Sequence, residues 1–251
     1  MKTNDGFFGA LAYFWSMIDG RSQNLWDNAR LVLADLPVSA VKAQRLLPFG
    51  LKLSAPAMAT LFVAHYPKTS FTAPYREAAL LLHVRHWLGT GRHCSWMVLD
   101  DDTALIYGRE LLGYPKKMAS LEFEEEGDRV RARVTRRGVT VLALEGTKGA
   151  PKSNPPPAFD LKTFNVGGPG SAFAFNPLWM FRPREVIHEA RECALKLEVQ
   201  PSEWDPLADL ITGGPVNPRF VVMDVCNSRY NYPVGLSGPT FVRRNFNLRF
   251  R

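Results

Sequence analysis

The sequence predicts a mainly β protein of the α+β class, organised as one domain over residues 1–251, on three observations. A meander of three runs, Ser120 to Glu124, Arg129 to Thr135 and Val139 to Leu144, is punctuated by the turns Glu126-Gly-Asp128 and Arg136-Arg-Gly138. In its middle run Val130, Ala132 and Val134 alternate with Arg129, Arg131, Arg133 and Thr135, the period of two that a half-buried strand requires. Most other apolar runs have strand length, and both halves of the chain share that texture without an internal repeat.

Taken in order, Asn28 to Leu36 reads as a strand rich in Leu and Val. Pro37 and Ser39 open a helical stretch, Val38 to Leu47, which Pro48 stops. Leu51 to Leu53 and Met58 to Ala64 read as strands, and Ala78 to Val84 is apolar enough for a buried one. Ser95 to Leu99 is a further strand, ended by the acidic turn Asp100 to Asp102, and Ala104 to Leu112 carries helical spacing. Beyond the meander, residues 148–157 (KGAPKSNPPP) read as a loop, because proline has no amide to donate. Arg184 to Glu198, Arg219 to Asp224 and Phe241 to Phe250 read as strands, although Pro183 to Leu195 also fits a helix. Val166-Gly-Gly-Pro-Gly-Ser171 reads as a plain turn, since a phosphate loop calls for Lys-Ser/Thr at its end and Pro169 and aromatics stand there instead.

The bulk numbers narrow the function classes. Hydrophobic residues at 46% and charged residues at 22% describe an ordinary soluble globular protein. The net charge of +7 is scattered rather than gathered into a stripe, which argues against nucleic acid and suits small carboxylates. Cys94, Cys193 and Cys226 form no CxxC pair, which fits a reducing, cytoplasmic compartment rather than a disulfide framework. His83 and His86 lack the Cys or carboxylate cluster of a zinc site. The apolar segment Phe7 to Ile18 is too short to span a bilayer and lacks a cleavage site, so residues 1–20 are expected to form an N-terminal arm, with no membrane as partner.

One segment carries chemistry: Gly108-Arg-Glu-Leu-Leu-Gly-Tyr-Pro-Lys-Lys117. Paired lysines are ordinarily a solvated surface feature. Here Leu111, Leu112, Tyr114 and Met118 flank them, Pro115 stiffens the approach to Lys116, and Gly113 lets the backbone turn just before it. In an extended segment adjacent side chains point to opposite faces, so the two ammonium groups are expected to diverge, with Lys117 reaching a carboxylate or backbone carbonyls.

At these residues the sequence resembles the acetoacetate decarboxylase family, whose GREL-x-x-YPKK signature is matched letter for letter. Tyr75-x-Glu77 resembles the family's Tyr-x-Glu with its pocket carboxylate, Leu46-Leu-Pro48 its early helix-Pro-strand element, and Pro206-Leu-Ala-Asp209 a later segment. The resemblance is strong from Tyr75 to Met118 and diffuse elsewhere. It implies an antiparallel closed β-barrel with several flanking helices, a central apolar pocket and a homo-oligomer. It also implies that Lys116 attacks a ketone to form an imine, the electron sink for loss of a neighbouring carboxylate as carbon dioxide. Glu77 would move protons or orient substrate, and Tyr75 and Tyr114 would line the pocket. No metal or organic cofactor is required, because the lysine supplies the electrophile.

The attacking amine must be neutral, yet at pH 7 only roughly one free lysine in two thousand is. Lowering its pKa to about 6 costs roughly 6 kcal/mol against the charged form, within reach of burial. The resemblance implies such a desolvated lysine.

Two departures from the family pattern matter. The family's second pocket glutamate falls at Phe62, and no acid stands between Lys52 and Glu77. The family's early arginine falls at Ala29, leaving Arg30 as a candidate displaced by one residue, a slip that reverses the face of a strand. An aromatic in place of a carboxylate implies a larger or more apolar substrate. Three readings follow: a Schiff-base decarboxylase of a β-keto acid; an aldolase-dehydratase using the same imine on pyruvate-like and aldehyde partners; and a non-catalytic small-ligand-binding module.

Overall fold

The computed structural model describes residues 24–167, 176–228 and 230–250. The expected N-terminal arm and most of the 166–171 glycine turn lie outside the described residues.

The first half supplies the centre of a single curled sheet. Strand β1 (Asn24–Pro37) leads into helix α1 (Ala40–Leu46), whose Ser39 cap accepts a hydrogen bond from the Lys42 amide. Then come β2 (Lys52–Leu53), β3 (Met58–Tyr66), β4 (Lys68–Thr69), β5 (Tyr75–His86) and β6 (Gly89–Leu99). Helix α2 (Asp102–Leu112) starts where the Asp101 carboxylate accepts from the Ala104 amide at 2.7 Å and stops at Gly113, which takes the left-handed conformation at φ 71°. The short β7 (Lys116–Met118) follows, then the meander β8 (Ser120–Glu126), β9 (Arg129–Arg136) and β10 (Val139–Pro151).

The second half adds β11 (Thr163–Val166), β12 (Pro177–Phe181), β13 (Arg184–Val199), α3 (Leu207–Leu210), β14 (Val216–Cys226), β15 (Asn231–Leu236), α4 (Pro239–Arg244) and α5 (Phe246–Phe250). The strand order is β15-β12-β11-β6-β5-β3-β1-β14-β13-β10-β9-β8, with β2 on β5, β4 on β1 and β7 on β6. Nearly all of the pairings are antiparallel; β6 pairs in parallel with both β7 and β11.

Four expectations change. The closed barrel is not formed: among the described residues β8 and β15 end the sheet and do not pair. The acidic β8, with Glu122, Glu124 and Glu126 exposed, is a charged edge that discourages pairing. Its other face lays Leu121 and Phe123 over the central strands, with Phe123 6.1 Å from the His65 ring. Residues 148–151, read as loop, continue β10 because its terminal proline sits where no amide is needed. The helical alternative for Pro183 to Leu195 gives way to a strand of 16 residues held between β10 and β14. Finally, Phe241 to Phe250 is helical, begun by Pro239 at a first helical position and seated by Phe241 and Val242 in the core.

The central strands are buried on both faces, and alternation sorts their residues into two cores. Val32, Leu61, Val63, Leu80, Leu82, Trp96 and Val98 face the meander. Ala29, Leu31, Phe62, Ala79, Leu81 and Met97 face the other way, around a cavity.

Leu80 is fully buried in the meander-side core, away from the cavity. Leu80→Ala is expected to lower stability by about 2–5 kcal/mol, the usual loss for a truncated core leucine, measured by urea unfolding.

Candidate active site

Three local features bring the candidate groups together. Strand β5 alternates, so Glu77, Ala79 and Leu81 share the cavity face. Strand β6 pairs Leu81 with Cys94 but Leu80 with Trp96, and the extra residue, Ser95, forms a bulge that keeps both Cys94 and Met97 on that face. Strand β7 then pairs in parallel with β6, setting Lys116 beside Met97. The connection is tight: the Tyr114 amide donates to the Gly108 carbonyl and the Lys116 amide to the Tyr114 carbonyl. Gly108 leaves room for the lysine stem, since a Cβ there would stand 2.2 Å from Lys116 Cε and displace it.

Lys116 is 5% exposed and Glu77 3% exposed, and their charged atoms, Nζ and Oε2, lie 2.6 Å apart. The nitrogen also lies 5.8 Å from the centre of the Tyr75 ring and 6.0 Å from that of Tyr114, close enough for a ring face to favour a cation. Both groups line a cavity of about 50 Å³ whose walls are largely aromatic, with Phe62, Tyr66, Tyr107, Phe159 and Phe181 among them. Phe62 is 2% exposed and meets Phe159 edge to face at 5.2 Å. Tyr75 sits behind this wall, its hydroxyl accepting from Trp26 Nε1 at 2.9 Å. Burial, with the Glu77 carboxylate beside it, holds the Tyr66 hydroxyl well above the usual tyrosine range, and the Cys94 thiol is raised by the same two causes. Both therefore stay neutral. Glu77 is the acidic group on the cavity wall among the described residues.

Lys117 points to the opposite face. Its nitrogen lies 3.8 Å from Asp205 Oδ1 and 3.4 Å from the Trp204 carbonyl oxygen. Asp205 is itself buried and accepts from Trp96 Nε1 at 2.7 Å, from Arg136 at 3.2 Å and from the Ser202 hydroxyl at 3.1 Å. Burial first, then the charge of Arg136, lowers the Lys117 pKa to about 8, with Asp205 opposing. Lys116 does not sit among apolar groups alone. Its nitrogen rests on the Glu77 carboxylate.

Arg30 is corrected outright. Its neighbour Ala29 belongs to the cavity-side core, while Arg30 faces away and pairs with Glu125 at 2.6 Å, a carboxylate that also takes Lys148. The one-residue slip in β1 decides this. Residues that the sequence reading missed are Tyr66, Met97, Phe159, Arg92 and the Asp205 anchor. Arg92 reaches the cavity face only through the β6 bulge, which no local pattern announces.

Comparison with known proteins places this arrangement in a lineage. A family model described as "Acetoacetate decarboxylase (ADC)" matches residues 15–227. Acetoacetate decarboxylase 3 of Mesorhizobium japonicum is 30% identical over 106 residues, covering 42% of this chain and 40% of the relative. A CLA biosynthesis isomerase of Lactiplantibacillus plantarum is 34% identical over 109 residues, 41% of this chain and 38% of the relative. The matched stretch thus spans about two fifths of each of these relatives. Among solved structures, acetoacetate decarboxylase of Legionella pneumophila superposes with a TM-score of 0.75 at 18% identity, covering 85% of this chain and 87% of that one. The enduracididine biosynthesis enzyme MppR, complexed with the condensation product of pyruvate and imidazole 4-carboxaldehyde, gives 0.70 at 15% identity, covering 87% and 91%. These structural likenesses speak to the fold.

The buried Lys117 has a measurable signature. The folded chain releases its proton near pH 8, and an unfolded lysine does so near ~10.4. Between those values unfolding takes up a proton, so stability rises with pH. Lys117→Met removes that contribution. Its stability relative to the native chain, from urea unfolding at successive pH values, is expected to be most favourable near pH 7 and to decline toward pH 10.

Proposed function

This chain belongs to the acetoacetate decarboxylase family, and on that premise we propose that it is a lyase that forms a Schiff base between Lys116 and a β-keto acid and releases carbon dioxide. The observation that carries the reading is the 2.6 Å contact between Lys116 Nζ and Glu77 Oε2 at the wall of an aromatic cavity. An amine attacks only after losing its proton, and this contact gives the proton a direct path to a carboxylate and back.

The steps follow from those positions. Lys116 passes a proton to Glu77, and its lone pair adds to the ketone carbon. The added nitrogen gives up one proton to the new alkoxide, Glu77 returns another to the resulting hydroxyl, and this leaves as water while the nitrogen lone pair closes the iminium. The bond between the α-carbon and the carboxylate then breaks, its electron pair moving into the iminium to give an enamine and carbon dioxide. Protonation at carbon and hydrolysis release the ketone and restore the lysine. The Tyr75 and Tyr114 rings face the cation, and the apolar walls disfavour a localised carboxylate relative to the dispersed charge of the transition state. Lys117 acts as a positioning residue, fixing β7 to Asp205 from the far side.

A second reading keeps the imine and joins it to an aldehyde with loss of water. It is favoured by Phe62, which stands in the wall where the family pattern carries a second acid and packs there on Phe159. Product analysis separates the two readings, since one releases carbon dioxide and the other water. With either go a keto acid as partner, a homo-oligomer and a cytoplasmic location, carried by the family resemblance and the cysteine pattern. No helix of the described residues is long and apolar enough to cross a membrane.

Borohydride reduction in the presence of acetoacetate or pyruvate is expected to fix an adduct on Lys116, located by mass mapping. Lys116→Ala should abolish it with the circular dichroism spectrum unchanged, and full labelling of that variant would refute the assignment. Glu77→Gln should slow turnover by about 10²–10⁴-fold, the usual share of a positioned acid–base group.

A further inference from the structure

The cavity-facing surface has a second polar region, away from the Lys116–Glu77 pair. Alternation along five adjacent strands puts Arg92 of β6, His83 of β5, Thr60 of β3, Asp35 of β1 and Arg219 of β14 on the same face as Cys94, Leu81, Phe62, Leu33 and Val221. Three of them satisfy one another. The Thr60 hydroxyl donates to Asp35 Oδ1 at 2.6 Å, and His83 Nε2 lies 2.9 Å from that hydroxyl and 3.4 Å from Asp35 Oδ1.

The two arginines at the ends of this row are less well supplied. Arg92 lines the same cavity as Lys116. Among the described residues its Nε is buried without a hydrogen-bond partner, and its Nη1 makes only a long 3.4 Å bond to the Gly91 carbonyl. Arg219 is 2% exposed, its Nε likewise has no partner, and its Nη1 reaches the Asn217 carbonyl at 3.3 Å. Neither guanidinium is ion-paired among the described residues, and the nearby Asp35 is already held by Thr60 and His83. Buried arginine donors ordinarily find carboxylates; of these two, Arg92 lines the cavity and Arg219 stands at the other end of the row on the same sheet face, and together they offer donors to an anion.

We propose that Arg92, with Arg219 behind it, anchors a second anionic group of the substrate that takes no part in bond breaking, so that the preferred substrates are keto acids with a carboxylate remote from the reacting carbonyl. The inference rests on the Schiff-base reading above and narrows its substrate class. The reason is reach. Arg92 pairs with His83, six residues along β5 from Glu77, about 20 Å at roughly 3.3 Å per residue. Side chains close part of that gap, yet several carbon atoms must still separate the imine carbon from the guanidinium. The scissile carboxylate of a β-keto acid is attached one carbon from the imine and cannot extend that far. A guanidinium beside it would also stabilise the very charge that has to leave.

Stable methyl ketones test this without decarboxylation. Borohydride labelling of Lys116 is measured as a function of ketone concentration for 7-oxooctanoate against octan-2-one, and for the short pair 4-oxopentanoate against pentan-2-one. The native chain is expected to reach half-labelling with 7-oxooctanoate at a concentration at least about tenfold lower than with octan-2-one, as befits a charge-assisted hydrogen bond, and to show no such preference in the short pair. Arg92→Gln should bring the half-labelling concentrations of 7-oxooctanoate and octan-2-one close together, and an unchanged circular dichroism spectrum shows that the variant is folded. Arg92→Lys should restore part of it. Equal half-labelling of the native chain by the two long ketones, or a preference that survives Arg92→Gln, would overturn the anchor. A preference equally large for the short acid would assign the effect to the general positive charge and overturn it too. Failure of every ketone to label Lys116 would instead remove the Schiff-base reading, and the anchor with it.

Discussion

A buried ammonium and a buried carboxylate, 2.6 Å apart, impose the condition that organises this molecule. Withdrawing either ion from water alone costs several kcal/mol, so neither Lys116 nor Glu77 can be placed without the other. Glu77 needs a strand that turns it inward, and β5 supplies one that is apolar on both faces. Lys116 needs a backbone that arrives from the side, and α2 ends at Gly113 so that β7 can run parallel to β6. Gly108 leaves room for the lysine stem beside the helix. The aromatic wall follows from the same condition, since it keeps out the water that would otherwise separate the pair.

The adjacent lysine shows how strictly a strand separates neighbours. Lys116 and Lys117 are joined by one peptide bond, yet one faces the cavity and the other faces a carboxylate in the opposite core. Asp205 is therefore structural, gathering the Trp96 indole, Arg136, Ser202 and Lys117 on the far side of β6 and β7. The cavity is steadied from behind by a network that never touches it. A repulsion between adjacent ammonium groups, the simple inference from Lys-Lys, is weakened because alternation directs them apart.

The sheet that carries all this is curled but open. Its last strand, β8, lies over the central strands through Leu121 and Phe123 instead of joining β15 edge to edge. Because the central strands are covered on both faces, each can hold two chemistries back to back, an apolar core toward the meander and a cavity on the other side. The cavity face also accommodates the Asp35–Thr60–His83 group and its flanking arginines without disturbing the packing of the opposite face.

Much of this was legible in the residues themselves. The meander, the long apolar strands and the helix before Gly113 were readable because strand and helix periods, glycine and proline act locally. The Gly108-to-Lys117 segment stood out because paired lysines among apolar and aromatic residues are an unusual placement of charge, and Tyr75-x-Glu77 was marked by its resemblance to the family pattern. Three features were not readable, each because it depends on neighbours far away in the chain. The face of β1 that carries Ala29 rather than Arg30 was set by its pairing with β3 and β14. The helical form of Phe241 to Phe250 was set by the core into which Phe241 and Val242 pack. The bulge at Ser95, which decides that Cys94 and Met97 share the cavity face, exists only in the register of β6 against β5. The order of residues singled out Lys116, Glu77 and Phe62 as candidates, but it also offered Arg30 and passed over Arg92. Which of them meet was left to the folded sheet, because a strand offers two faces and only its partners choose between them.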